Sequence, residues 1–287
     1  MGRALEVIAG FATAPGATLT TVTMSTNQSA VIRGTDTSKG TWLLSTWAFN
    51  ATAGESRIFS ARLHDQAQGI RNRVTAALAS PLMPGFGTAT FAQRLYAQDN
   101  LTIQISGGGG AEKDCIALLI GYDDLSGVAG RFIDQPTLRK NGINVVTAEV
   151  TVTAVATGNF GGAVAINSTN DNLIANTDYA IIGGMTDTRG CAVGISGVDL
   201  GNLHVGFPAE PSLRGFTANW FEQLSVAFGG APYIPVINSA NKAATNIDVQ
   251  TSDAAGTFII NLEMVQLAPG AVATTTATAP GTQPGTQ

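Results

Sequence analysis

Two segments far apart in this chain repeat one another. Asn100-Leu101-Thr102-Ile103-Gln104-Ile105 and Asn246-Ile247-Asp248-Val249-Gln250-Thr251 share one polar–apolar alternation, 146 positions apart. Each is followed by a loop containing Gly or Ala and then a long apolar run, Cys115–Ile120 in one case and Thr257–Leu262 in the other. The runs are 142 positions apart, so the shorter second loop absorbs the difference, and each half ends on a leucine, Leu125 and Leu267. Upstream, Thr41-Trp42-Leu43-Leu44 and Asp178-Tyr179-Ala180-Ile181-Ile182 each place an aromatic-led run after a polar turn. A chain that repeats its own order of elements over half its length folds as two similar units in tandem. At 287 residues it has room for two domains, each able to bury its own core.

Period-2 alternation with β-branched residues, broken by turn residues, marks strands. In the first half these are Thr18–Ser25, Val31–Arg33, Thr41–Phe49, Arg57–Leu63, Leu101–Ser106 and Cys115–Tyr122. In the second they are Val145–Val155, Ala163–Ile166, Tyr179–Met185, Ala192–Val198, Leu203–Phe207, Tyr233–Ile237, Ile247–Thr251 and Phe258–Val265. Helical spacing predicts one or two turns over residues 4–12, a stripe Ile70, Val74, Ala77, Leu78 within 66–80, and two short aromatic helices. The latter are Thr88–Gln98, with Phe91, Leu95 and Tyr96, and Phe216–Leu224, with Phe216, Trp220, Phe221 and Leu224. The expected fold is all-β: two tandem antiparallel β-sandwich (jelly-roll) domains, each with a short helix before its last strands, between the sixth and seventh. The domains run over 18–126 and 145–267. An N-terminal segment (1–17), a linker (127–144) and an extended Ala/Thr/Pro/Gly/Gln tail (268–287) complete the chain.

Charged residues make up 12% of the chain, about half the usual share, and Thr, Asn, Ser, Gln and Gly carry the polarity instead. Interfaces are depleted in Lys and Glu, so this surface suits a subunit largely covered by neighbours; a secreted β-protein shares the bias. The net charge of −5 and the lack of a basic cluster argue against specific nucleic-acid binding. No apolar run reaches membrane-span length. The first residues, Met1-Gly2-Arg3-Ala4-Leu5-Glu6, lack a secretory core and an acylation pattern, so synthesis in the cytoplasm is expected. The sequons at Asn27, Asn50, Asn100 and Asn167 then reflect composition.

Catalytic chemistry finds little to stand on. His64 adjoins Asp65, but neighbours on a strand point to opposite faces. His204 is the only other histidine. Gly194-Ile195-Ser196-Gly197 misses the spacing of a nucleophile elbow. Gly107–Gly110 lacks a following Lys-Ser/Thr and joins two strands, which makes it a hairpin loop rather than a phosphate cradle. Asn167–Asn172 is oxygen-rich but short of carboxylates for calcium, and Asp123-Asp124 reads as a turn. Cys115 and Cys191 have no histidine at zinc spacing and read as buried thiols, with pairing left open. Trp42, Trp47 and Trp220, with Tyr96, Tyr179 and Tyr233, suit a core better than a sugar platform. No catalytic, cofactor-binding or metal residue is nominated, no cofactor is implied, and no enzymatic activity is expected.

The paired halves, their helices and their matched endings at Leu101–Leu125 and Ile247–Leu267 resemble the double jelly-roll major capsid proteins of tailless double-stranded DNA viruses. The resemblance is architectural and covers most of residues 18–267. It implies a homotrimer whose six sandwiches form a pseudo-hexagonal tile of a virion, in contact with neighbouring capsomers and other virion proteins. Residues 1–14 would then lie on the interior face, where an internal membrane is one partner of such shells. Other readings are a virion decoration or fibre protein, a carbohydrate-binding β-sandwich, and a glycoside hydrolase, for which no carboxylate pair can be named.

Overall fold

The computed structural model describes residues 3–34, 40–49, 54–60, 62, 70–74, 93–107, 113–123, 125, 130–155, 157–166, 172–251 and 255–272. The chain is mostly β, in several antiparallel sheets. The first half contributes β1 (Ala4–Thr13), β2 (Thr20–Thr21), β3 (Thr23–Met24), β4 (Thr41–Phe49), β5 (Gly54–Phe59), β6 (Ile70–Val74), β7 (Gln93–Leu95), β8 (Thr102–Ile105) and β9 (Lys113–Tyr122). The second contributes β10 (Phe132–Ile133), helix α1 (Gln135–Asn141), β11 (Gly142–Ala154), β12 (Phe160–Ala165), β13 (Asp178–Thr186), β14 (Ala192–Ser196) and β15 (Val205–Pro208). Helices α2 (Arg214–Thr217) and α3 (Trp220–Ala227) follow, then β16 (Ile234–Asn238), β17 (Asn246–Gln250) and β18 (Gly256–Leu267).

The two halves are wound alike. The first forms sheets β3-β1-β9-β4-β7 and β2-β8-β5-β6; the second forms β10-β16-β13-β18-β11 and β12-β17-β14-β15. Setting aside the edge strands β3 and β10 and counting within each half, one sheet runs 1-8-3-6 and the other 2-7-4-5 in both. The repeated segments fall on equivalent strands. Asn100–Ile105 contains the seventh strand of its half and Asn246–Thr251 covers the other; Cys115–Ile120 and Thr257–Leu262 lie in the eighth; Thr41–Leu44 and Asp178–Ile182 open the third.

Residues 4–12 are strand rather than helix. Ala4–Thr13 forms β1, paired over its whole length with β9, so residues expected as a free N-terminal segment sit inside a sheet. Both faces of β1 are covered, and its apolar run shows no alternation; periodicity cannot separate such a strand from a short helix. The same ambiguity affected two other segments. Ile70 and Val74 lie four apart, a spacing that fits both periods, and Ile70–Val74 is β6. Gln93–Leu95, inside the expected helix Thr88–Gln98, is β7. Tyr96–Gln98 is likewise not helical, and residues 66–69 and 75–92, which hold the rest of both predicted helices, lie outside the described residues. In the second half the helix is present as α3, but it lies between the fifth and sixth strands. Thr18–Ser25 is split into β2 and β3, and Val31–Arg33 makes only an isolated bridge, Val31 to Asn100.

Most of the expected linker belongs to the second half. Asp134 caps α1 by accepting from the Thr137 amide at 2.8 Å, and Pro136 occupies the first turn, where its missing donor costs nothing. β10 pairs with β16, and β11 starts at Gly142.

Candidate functional site at the seam between the halves

The two halves meet along a polar and aromatic seam. Strands β1, β4 and β9 face β14, β15, β17 and α3, which is why β1 and β9 are buried on both faces. The Val7 amide donates to the His204 carbonyl at 2.6 Å. Trp47 donates its indole N–H to the Cys191 carbonyl at 2.8 Å and stands edge-on to Trp220, centroids 5.5 Å apart. Gln250, fully buried on β17, donates from Nε2 to the carbonyls of Gly10 (3.1 Å) and Gly158 (3.0 Å) and to Ser25 Oγ (3.3 Å). Phe11 occupies the space beside Gly158, whose positive φ of 73° and absent Cβ both suit glycine.

At one end the seam opens into a cleft of about 440 Å³. Glu6 and Arg33 line it from the first half; Phe160, His204 and Asp248 line it from the second. Glu6, buried on β1, accepts from Arg33 Nε at 2.6 Å and from the Tyr122 hydroxyl at 2.8 Å. Burial, with the Glu6 carboxylate adding to it, holds the Tyr122 phenol well above its ordinary range. Across the cleft, His204 Nε2 lies 2.7 Å from Asp248 Oδ1, and Phe160 stacks on the imidazole at 4.2 Å. Gly194 makes this pair possible. It lies on β14 between β17, which carries Asp248, and β15, which His204 immediately precedes, and a Cβ there would collide with both His204 Nε2 and Asp248 Oδ1.

The imidazole has a partner at each ring nitrogen. Gln28 Nε2 lies 3.4 Å from His204 Nδ1. The imidazole therefore links the segment entering β15 to Asp248 on β17 and to Gln28 of the first half. No protein-family model matches this chain, and no curated protein matches it.

The residues weighed from sequence fall as follows. His64 and Asp65 lie outside the described residues, as do 108–110 of the glycine loop, 167–171 of the Asn-rich loop, and Asp124. Gly107 donates its amide to Gly16, and Asp123 accepts from the Trp42 indole at 3.0 Å. Cys115 and Cys191 are buried free thiols. Among the described residues no group of three or more His, Cys, Asp or Glu is placed to hold a metal ion. Trp47, Trp220, Tyr179 and Tyr233 are buried, so they form no exposed sugar platform. The His204–Asp248 pair escaped sequence reasoning because its members are 44 positions apart; only Gly194, aligned between them in a neighbouring strand, hints at it.

Proposed function

We propose that this protein is the structural subunit of a viral shell, a major capsid protein in which each half is a jelly roll and three chains close a pseudo-hexagonal tile. The observation that carries the reading is the recurrence of the 1-8-3-6 and 2-7-4-5 strand orders in both halves of one chain. Eight antiparallel strands divided between two sheets in each half support a jelly-roll reading of both.

The seam supplies the rule for assembly. Within the chain, a five-stranded sheet of the first half meets the four-stranded sheet of the second. That leaves the β11–β18 side of the second half and the β2-β8-β5-β6 sheet of the first for the next copy. Repeating one head-to-tail contact generates a ring if the rotation closes, and closure at three chains presents six similar units. Low charge favours this use, because flat faces can then pack without desolvating many ions. The side of the tile facing the shell interior is not assigned to residues 1–14, since Ala4–Thr13 is committed to β1 between β3 and β9.

Negative-stain imaging of the purified protein tests the proposal. Six-lobed particles of threefold symmetry support it; fibres or single two-lobed particles count against it, fibres favouring the fibre-protein reading.

A further inference from the structure

β11 is an open edge. It pairs with β18 on one side, and among the described residues no strand pairs with the other. At 13 residues it is the longest strand, and its first part is bare: Ile143 is 59% and Val145 61% exposed. Gly142 to Ala148 carries no charge, and the first is Glu149. Folded proteins usually blunt such edges with charge, proline or a covering segment, because unpaired N–H and C=O groups recruit another strand. The equivalent strand of the first half is treated differently. β3 pairs with β1 at Gly10 and Phe11, and the His204 carbonyl takes the Val7 amide. Counting from the ends of both ladders, Val7 stands near the position of Thr147. The edge filled within the chain in one half is therefore left free in the other.

The sequence beyond Val272 suits that edge. Ala273-Thr274-Thr275-Thr276-Ala277-Thr278-Ala279 is uncharged, four of its seven residues are β-branched, and Pro280 ends it. Its root is close by. Leu267 pairs with Gly142, the Ala268 amide donates to the Asn141 carbonyl, and Ala271 and Val272 pack on the core. Leu267, the last residue of β18, lies on the paired side of β11 rather than at its free edge, however. To reach the free edge of its own β11, the tail would have to cross the path by which α1 enters Gly142, and connections avoid such crossings. A tail from a neighbouring copy meets no such obstacle.

We propose that residues 273–279 of one copy add as a strand to the free edge of β11 in a second copy, covering Ile143 and Val145. Main-chain hydrogen bonds supply the affinity, and the lack of charge on both partners removes a desolvation cost. The contact is head-to-tail, so it joins copies round a ring or across tiles. It rests on the shell-subunit reading in that copies must meet.

The test is disulfide trapping in the full chain carrying Val145→Cys and Thr275→Cys, with each single variant as control; the native cysteines are buried. The double variant is expected to give covalent dimers and higher ladders on a non-reducing gel, and a mixture of two differently tagged chains is expected to give mixed dimers. A link confined to single chains overturns the proposal in favour of the chain's own tail. No link in a protein that light scattering shows to be oligomeric overturns this inference and leaves the shell reading standing. No link in a protein that is monomeric overturns both.

Discussion

The indole of Trp47 on β4 stands at 83° to that of Trp220 on α3, with ring centroids 5.5 Å apart. One ring comes from each half, and both are buried. The halves therefore share a core, and neither can unfold without exposing a tryptophan of the other. Trp47→Ala or Trp220→Ala is expected to cost about 3–5 kcal/mol, the usual range for deleting a buried aromatic. Urea unfolding followed by fluorescence and by circular dichroism should give one coincident transition, shifted to lower urea. Two separate transitions in the native protein would show that the halves are independent.

Gln250 is the polar counterpart of that contact. Its Nε2 serves two backbone carbonyls, Gly10 and Gly158, that belong to different halves. Gln250→Leu keeps much of the volume but removes the amide donor from both, while Gly158 retains Ser25 Oγ as a donor. Each such loss costs about 1–3 kcal/mol. Equilibrium denaturation is expected to show a fall of that size; an unchanged midpoint would mean that water replaces the amide freely.

A methyl group at position 194 would occupy the place of the His204–Asp248 contact. Gly194→Ala is expected to destabilise the protein by about 1–3 kcal/mol, as overpacking does. The His204 ring resonances should also move, since the partner at Nε2 is displaced. If the resonances and the stability both stay as in the native protein, the contact is not formed as described.

The sequence revealed the third, seventh and eighth strands of each half because those segments recur in the same order in both halves, alternating in the seventh and running apolar in the eighth. It hid β1 because both faces of that strand are covered, which erases the alternation that distinguishes strand from helix. It hid β6 because Ile70 and Val74 satisfy both periods. The seam was less legible still. Glu6, His204, Asp248 and Gln250 meet only through sheet pairing, and no local spacing announces partners so far apart in the chain.

Alkaline pH should weaken the fold. Burial pushes the Cys191 thiol and the Tyr233 phenol above their ordinary values, and burial together with Glu6 does the same to Tyr122. In the unfolded chain these groups lose protons from about pH 8.5 to 10. The folded chain retains them, so above that range the unfolded state binds fewer protons and stability falls as pH rises. Each group contributes a slope of about 1.4 kcal/mol per pH unit while that difference lasts. Urea midpoints measured from pH 8 to 11 are expected to decline, and a flat or rising series would contradict the burial of these groups.

Two similar halves in one chain, closing as three chains, is the central claim. Multi-angle light scattering of the purified full-length protein over a wide concentration range measures it directly. The expected mass is three times that of the chain, or larger where tiles associate. A monomer that persists at every concentration would contradict it.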